Sequence, residues 1–244
     1  MVSKNEVKYI QSLYHKKTRF EERLFVVEGP KLTGEVLKST FTVRTIYATA
    51  EWLQANGSLG GATVKEVTPE ELSRLSHLQT ANQVLAVVEQ PAEPGNLRED
   101  QLSLVLDGIQ DPGNLGTIIR IADWFGITQI IASEDTVELY NPKVLQSTMG
   151  SFLRVQLWYK DIGAFLQATQ QPVYGALLNG EDVTTHSGIK NGLLVIGNES
   201  KGIRLDIMPY IKHALTIPRI GEAESLNAAV ATGILLSHVV KTGG

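Results

Sequence analysis

LSLVLDGIQDPGNLGTIIRIADWFGITQIIAS, residues 102–133, reads as a strand, a turn, a helix and a second strand. The strands LVLDG (104–108) and QIIAS (129–133) are unbroken apolar runs rather than alternations. Runs of that kind belong to parallel strands covered on both faces, and the helix at 114–125 is the crossover that parallel pairing requires. Ile118, Ile119, Ile121, Ala122 and Phe125 supply its apolar stripe.

The pattern continues toward the C-terminus. A helix at 142–149, strand RVQLWY (154–159), a helix at 161–170 and strands VYGALL (173–178), LLVIG (193–197) and HALTIP (213–218) precede a helix at 225–241. The expected fold over 102–244 is an α/β domain with a mostly parallel sheet. Upstream, QPAEPGNLREDQ (90–101) is rich in proline and charge, so 91–101 is read as an inter-domain linker. Residues 1–90 alternate helices (3–14, 30–39, 51–55, 69–76) with strands LFVVE (24–28), TVRTIYA (42–48), TVKEV (63–67) and VLAVVE (84–89). A small α/β sandwich domain follows. Gly60–Gly61 reads as a turn and Gly243–Gly244 as a frayed end.

Composition narrows the function classes. The 244 residues are 43% hydrophobic, enough for one large core or two moderate ones. The net charge is −4, so nucleic-acid binding would need a local basic face. Residues 1–31 carry seven Lys/Arg against four Glu. The absence of cysteine excludes disulfides, thiolate catalysis and Cys-ligated zinc. The histidines show no HxxxH or HxH spacing, and no metal is expected. The N-terminus lacks the apolar core of a signal peptide, and no apolar run approaches the roughly eighteen residues of a membrane span. A cytoplasmic protein is expected.

Three turns follow strands, where open α/β sheets place ligands. In DGIQDPGN (107–114), Asn114 or a neighbour can cap the next helix, and Arg120 lies six residues on, as a solvated helix residue or as part of a site. In LLVIGNESKGI (193–203), Gly197 admits a ligand close to the backbone, and Glu199 is a poor packing choice that faces either a site or an ordinary turn. In LTIPRIGEAESLNAAVATGILL (215–236), Ser225 is a good N-cap, and Asn227 falls in the first turn. No dinucleotide fingerprint or P-loop is present.

Together NLGTIIRIA (114–122), GNESKG (197–202) and IPRIGEAESLNAAVA (217–231) resemble the signature motifs of the SpoU/TrmH family, within the SPOUT methyltransferase superfamily, in order and spacing. FVVEGPKLTGEVL (25–37) is similar to that family's substrate-binding domain. One departure is Asn82-Gln83-Val84, where the family often has Gln-Gly before the last strand of this domain. The resemblance implies a deep trefoil knot in the C-terminal domain and a homodimer with its active site near the interface. It implies an S-adenosyl-L-methionine (SAM)-dependent transfer of methyl to a ribose 2′-hydroxyl of structured RNA, ribosomal rather than transfer RNA because of the separate N-terminal domain. Gly197, Asn198, Ile217 and Leu226 would contact SAM, Arg120 would be catalytic, and Asn114, Glu199, Ser225 and Asn227 would complete the site.

An arginine with a pKa above about 12 is a poor proton acceptor. Arg120 is therefore expected to hold the adjacent phosphate and stabilise charge on the 2′-oxygen. The cluster Lys16, Lys17 and Arg19, with Tyr14 and Phe20 as stacking rings, is expected to grip RNA. Three alternatives remain open: a 2′-O-methyltransferase of transfer RNA, a SPOUT enzyme that methylates a base, and a non-catalytic RNA-binding or ribosome-assembly factor.

Overall fold

The computed structural model describes every residue except Ser58, Gly60, Glu93, Ser187 and 241–244, so Gly60 and Gly243–Gly244 lie outside the described residues. In chain order the elements begin α1 (Lys4–Ser12), α2 (Lys16–Glu22), β1 (Leu24–Glu28), α3 (Pro30–Leu37), β2 (Val43–Ala48), α4 (Ala50–Ala55), β3 (Thr63–Glu66), α5 (Pro69–Leu75) and β4 (Val84–Glu89). They continue β5 (Leu102–Asp107), α6 (Pro112–Trp124), β6 (Gln129–Ser133), α7 (Pro142–Thr148), β7 (Gln156–Lys160), α8 (Ile162–Ala168), β8 (Val173–Asp182), β9 (Gly192–Gly197), β10 (His213–Thr216) and α9 (Ala228–Val239). Two compact units result: Met1–Ala92 with Tyr140–Leu153, and Glu93–Leu139 with Arg154–Gly244.

The first unit holds a sheet of order β1-β4-β2-β3, with β4 antiparallel to both neighbours and β2 parallel to β3. β1 is buried along its whole length because successive side chains enter two different cores. Leu24 and Val26 join Ile10, Leu13, Leu72, Leu75, Leu85 and Val87 in one cluster. On the other face Phe25 stacks on Tyr140 at 4.5 Å and meets Phe41 and Phe152 edge-on at 6.1 and 6.0 Å. Each such ring pair adds about 0.5–1.5 kcal/mol beyond its burial. That aromatic cover is why Tyr140–Leu153, which carries the helix assigned above to the second half, belongs to the first unit. The stretch between the first helix and β1, where no element is expected from sequence, forms α2.

The second unit is a six-stranded sheet, parallel throughout, of order β10-β8-β9-β5-β6-β7. β5 lies inside the sheet and is buried from end to end, Ser103 and Asp107 included. β9 inserts between β5 and β8, two strands that precede it in the chain. The segment expected as a linker is stapled along this unit. The buried Gln129 side chain accepts from Arg98 N at 2.7 Å and donates to Arg98 O and Ser103 Oγ, both at 2.9 Å. Trp158 Nε1 donates to Gly95 O at 3.0 Å. Among the described residues no helix is long and apolar enough to cross a membrane.

Gln83, at the position of the missing family glycine, has φ +54°. The turn keeps its left-handed geometry, with Thr49 N donating to Gln83 O at 2.9 Å, so the side chain carries the strain. A non-glycine residue there costs on the order of 1 kcal/mol. Gln83→Gly is therefore expected to leave stability unchanged or raise it by up to about 1 kcal/mol, part of the gain being lost to unfolded-chain entropy. Gln83→Val should lower it by about 1–2 kcal/mol. Thermal unfolding of both variants checks the pair, and a destabilised glycine variant would contradict it.

Candidate active site

The three turns meet at the C-terminal edge of the second sheet. Asp111 is the N-cap of α6, its carboxylate accepting from Asn114 N at 2.8 Å. That leaves the Asn114 side chain free to reach sideways. Asn227, not Ser225, is the N-cap of α9: its Oδ1 accepts from Ala229 N and Val230 N at 3.0 and 3.2 Å. The helix thus starts at Ala228, later than expected, because the asparagine amide fits both free N–H groups. Asn227 Nδ2 then donates to Asn114 Oδ1 at 2.8 Å, and Asn114 Nδ2 donates to Glu199 Oε1. One residue from each motif joins a single hydrogen-bonded chain.

Beside this chain lies a cavity of about 590 Å³. Its walls come from Ala176–Leu178, the loop 196–202, residues 215–220 and 223–226, and the inner face of α9 at Ala228, Ala231 and Leu235. Gly197, Asn198, Glu199, Ile217, Ser225 and Leu226 all line it. Gly197 is needed for a reason other than ligand access. A Cβ there would lie 2.3 Å from the Gly202 carbonyl carbon and 2.4 Å from Ile203 N, so the glycine lets the loop close on itself. The Asn198 side chain is spent on the same loop. It donates to Gly108 O at 2.8 Å and accepts from Ser200 N and Lys201 N at 2.9 and 3.1 Å.

Sequence reasoning missed two anchors. Asp107 ends β5 fully buried and accepts from Arg204 N at 2.7 Å, with Arg204 Nε 2.6 Å from its other oxygen. Burial pushes the Asp107 carboxyl up, and Arg204 pulls it only partly back. The clue was an acid closing an apolar strand, the same clue used for Glu199. Also missed was a wall of the cavity. β8 pairs with β10 through Gly175 and again from Glu181, so 176–180 bulge out between. Nothing in ALLNG marks that bulge in the sequence.

Other expected residues are not brought to this cleft. Arg120 is exposed, does not line the cavity and has no hydrogen bond or ion pair among the described residues. Six residues of helix turn it about 120° away from Asn114 and carry it about 9 Å along the axis. In the first unit Lys16, Lys17 and Phe20 are exposed, and Lys17 lies 3.9 Å from Glu21. Arg19 and Tyr14 leave the expected patch. Arg19 is 2% exposed and donates to Leu13 O at 3.0 Å, because α2 turns it inward. Tyr14 is buried, donates to Glu28 at 2.7 Å and packs on the His77 ring at 4.6 Å. Burial and the Glu28 charge push its hydroxyl pKa far above the usual phenol value.

Comparison with known proteins agrees with this architecture. A structure from Porphyromonas gingivalis assigned to the TrmH family of RNA methyltransferases shares 38% identity, covers 98% of each chain and superposes with TM-score 0.88. An AdoMet-bound rRNA methyltransferase from Sinorhizobium meliloti shares 31% identity over 98% of this chain and 95% of that one, with TM-score 0.85. The 23S rRNA (guanosine(2553)-2′-O)-methyltransferase RlmP of Bacillus subtilis is 32% identical over 97% of both chains. A model of the MRM3-like substrate binding domain matches residues 4–86. The SpoU rRNA Methylase family model matches 101–237, more than half of the sequence, and the chain belongs to that family.

Proposed function

We propose that this protein is a SAM-dependent methyltransferase acting on a ribose 2′-hydroxyl of ribosomal RNA in the cytoplasm. The observation that carries the reading is the cavity of about 590 Å³ with the Asn227–Asn114–Glu199 chain at its side. Its volume lies within the range of roughly 300–1,000 Å³ typical of small-ligand sites. Ile217, Leu226 and the backbone of 197–202 suit an adenosine and its methionine tail, and Glu199 supplies negative charge for a cationic sulfonium. When bound, SAM supplies an activated methyl group.

This chain's residues then have to align and electrostatically assist the ribose oxygen. Asn114 and Asn227 hold Glu199 in place. Arg120, turned away from its own Asn114, serves the neighbouring site of a homodimer, where it holds the phosphate next to the target ribose. The second copy is favoured by exposed apolar side chains on the same helices, Trp124 on α6 at 84% and Val230 on α9 at 50%. The knot is supported by the placement of β9 and by the tight passage at Gly197. RNA is gripped by Lys16 and Lys17 with Phe20, without Arg19 or Tyr14.

Titration calorimetry should show SAM binding to the wild type. Gly197→Val, which drives side-chain atoms into the loop backbone, should weaken it at least about tenfold; a wild type that binds no SAM would leave only a binding module. Single-turnover rates for Arg120→Ala and Arg120→Lys should fall by about 10²–10³ with little pH dependence, as for loss of a charge-stabilising donor. Arg120→Ala activity within threefold of wild type would remove it from catalysis. Neutralising Lys16 and Lys17 together should flatten the salt dependence of RNA binding by roughly 1.5–2 in log–log slope, and an unchanged slope would move the contacts elsewhere. Mass-spectrometric mapping of the methylated nucleotide distinguishes 2′-O from base methylation and ribosomal from transfer RNA.

A further inference from the structure

We propose that Glu199 is the group that takes the proton from the ribose 2′-hydroxyl, an inference that rests on the methyltransferase reading above. The direction of the hydrogen-bond chain carries it. Asn227 Oδ1 is committed to two backbone N–H groups at the start of α9, so its amide nitrogen must face outward. That nitrogen donates to Asn114 Oδ1, which obliges the Asn114 nitrogen to face Glu199. A helix terminus thereby dictates that the last member of the chain be an acceptor, which a carboxylate meets with a charge-assisted hydrogen bond and a second oxygen that also only accepts. Only Oε1 of Glu199 is used, and Oε2 has no hydrogen-bond partner among the described residues. The residue is half-buried and lines the cavity.

Among the described residues no other group at the site is placed for the task. Arginine cannot accept a proton at working pH. No histidine lines the cavity: His213 stacks on Tyr174 at 5.0 Å, and His186 is 2.8 Å from Glu181. The second carboxylate of the lining, Glu224, is exposed. The charged groups that share the cavity with Glu199 are Lys201 on its own loop, and Arg219 and Glu224 on the β10–α9 loop. α6 presents the neutral Asn114, with Asp111 turned to its helix cap.

In the step, the 2′-oxygen bonds to the methyl carbon as the methyl–sulfur bond breaks, and the bonding pair stays on sulfur, which loses its positive charge. The 2′ proton passes to Glu199 and from there to solvent. The hydroxyl's acidity rises steeply as the new bond forms, so a carboxylate suffices as base. Asn114 and Asn227 are positioning residues that keep its open oxygen directed into the cleft.

The test uses the full-length protein with ribosomal RNA. Glu199→Gln should lower the single-turnover rate by about 10²–10⁴ at saturating SAM, whatever change its SAM affinity shows by calorimetry. The wild-type rate should fall at acid pH, and the glutamine variant should lack that limb. Formate should restore at least tenfold of the lost rate to Glu199→Ala and none to Glu199→Gln. A glutamine variant within threefold of wild type, a loss explained by weaker SAM binding, or no response of the alanine variant to formate overturns the assignment. Wild-type transfer with any of those results defeats this inference alone, whereas a wild type that binds no SAM defeats the functional reading as well.

Discussion

The constraint on which the site depends is the need to satisfy the free N–H groups at the start of α9. Helix termini leave such donors without partners, and an asparagine cap stabilises them by about 1 kcal/mol. Here the cap residue does more than end a helix. Because Asn227 Oδ1 must turn inward, its nitrogen turns outward, and the orientation of Asn114 and Glu199 follows. Three turns separated by up to 113 residues are thereby locked by side-chain contacts rather than by a shared strand. A serine at position 225 could have capped a helix, but a hydroxyl has no second, oppositely directed amide group to pass the constraint on.

The loop that carries Glu199 is held at both ends. At its start Asn198 reaches Gly108 O, and at its far end Arg204 reaches the buried Asp107. Both anchors lie at the tip of β5, a strand buried from end to end. Burying the Asp107 charge is costly, and the cost is offset only because Arg204 supplies both a backbone N–H and a guanidinium nitrogen. Such a pair adds little net stability, but it fixes where the loop leaves the sheet. Position, rather than energy, is what it contributes.

Much of this was legible in the sequence. Apolar runs located most strands, since burial on two faces demands them, and β1, β4 and β6 match their expected spans residue for residue, whereas β3 is exposed along its whole length. The three turns were visible because glycine and asparagine have few reasons to follow buried strands. What escaped depends on direction rather than composition. Arg19 looked like its neighbours Lys16 and Lys17 until α2 turned it inward, and Tyr14 looked like an RNA-stacking ring until Glu28 claimed its hydroxyl. Tyr140 and Phe152 carry no local mark that they complete a core around Phe25, far earlier in the chain. The bulge at 176–180 is a register shift between two strands, which one strand's sequence cannot reveal.

The chain also explains why the proposed ligand site lies late in the fold. In dinucleotide-binding sheets the helix after the first strand offers its N-terminus to a phosphate. Here that position is closed, because Asp111 places a carboxylate on the first turn of α6 and takes up the Asn114 N–H. A phosphate approaching there would meet a like charge and a spent donor. A cationic sulfonium has no use for a helix N-terminus and gains from nearby carboxylates instead. The early turn, relieved of ligand binding, can send the Asn114 side chain across to the late loops. An acidic cap on the first helix and the proposed cofactor cradle of the last strands are thus two consequences of a single choice of ligand charge.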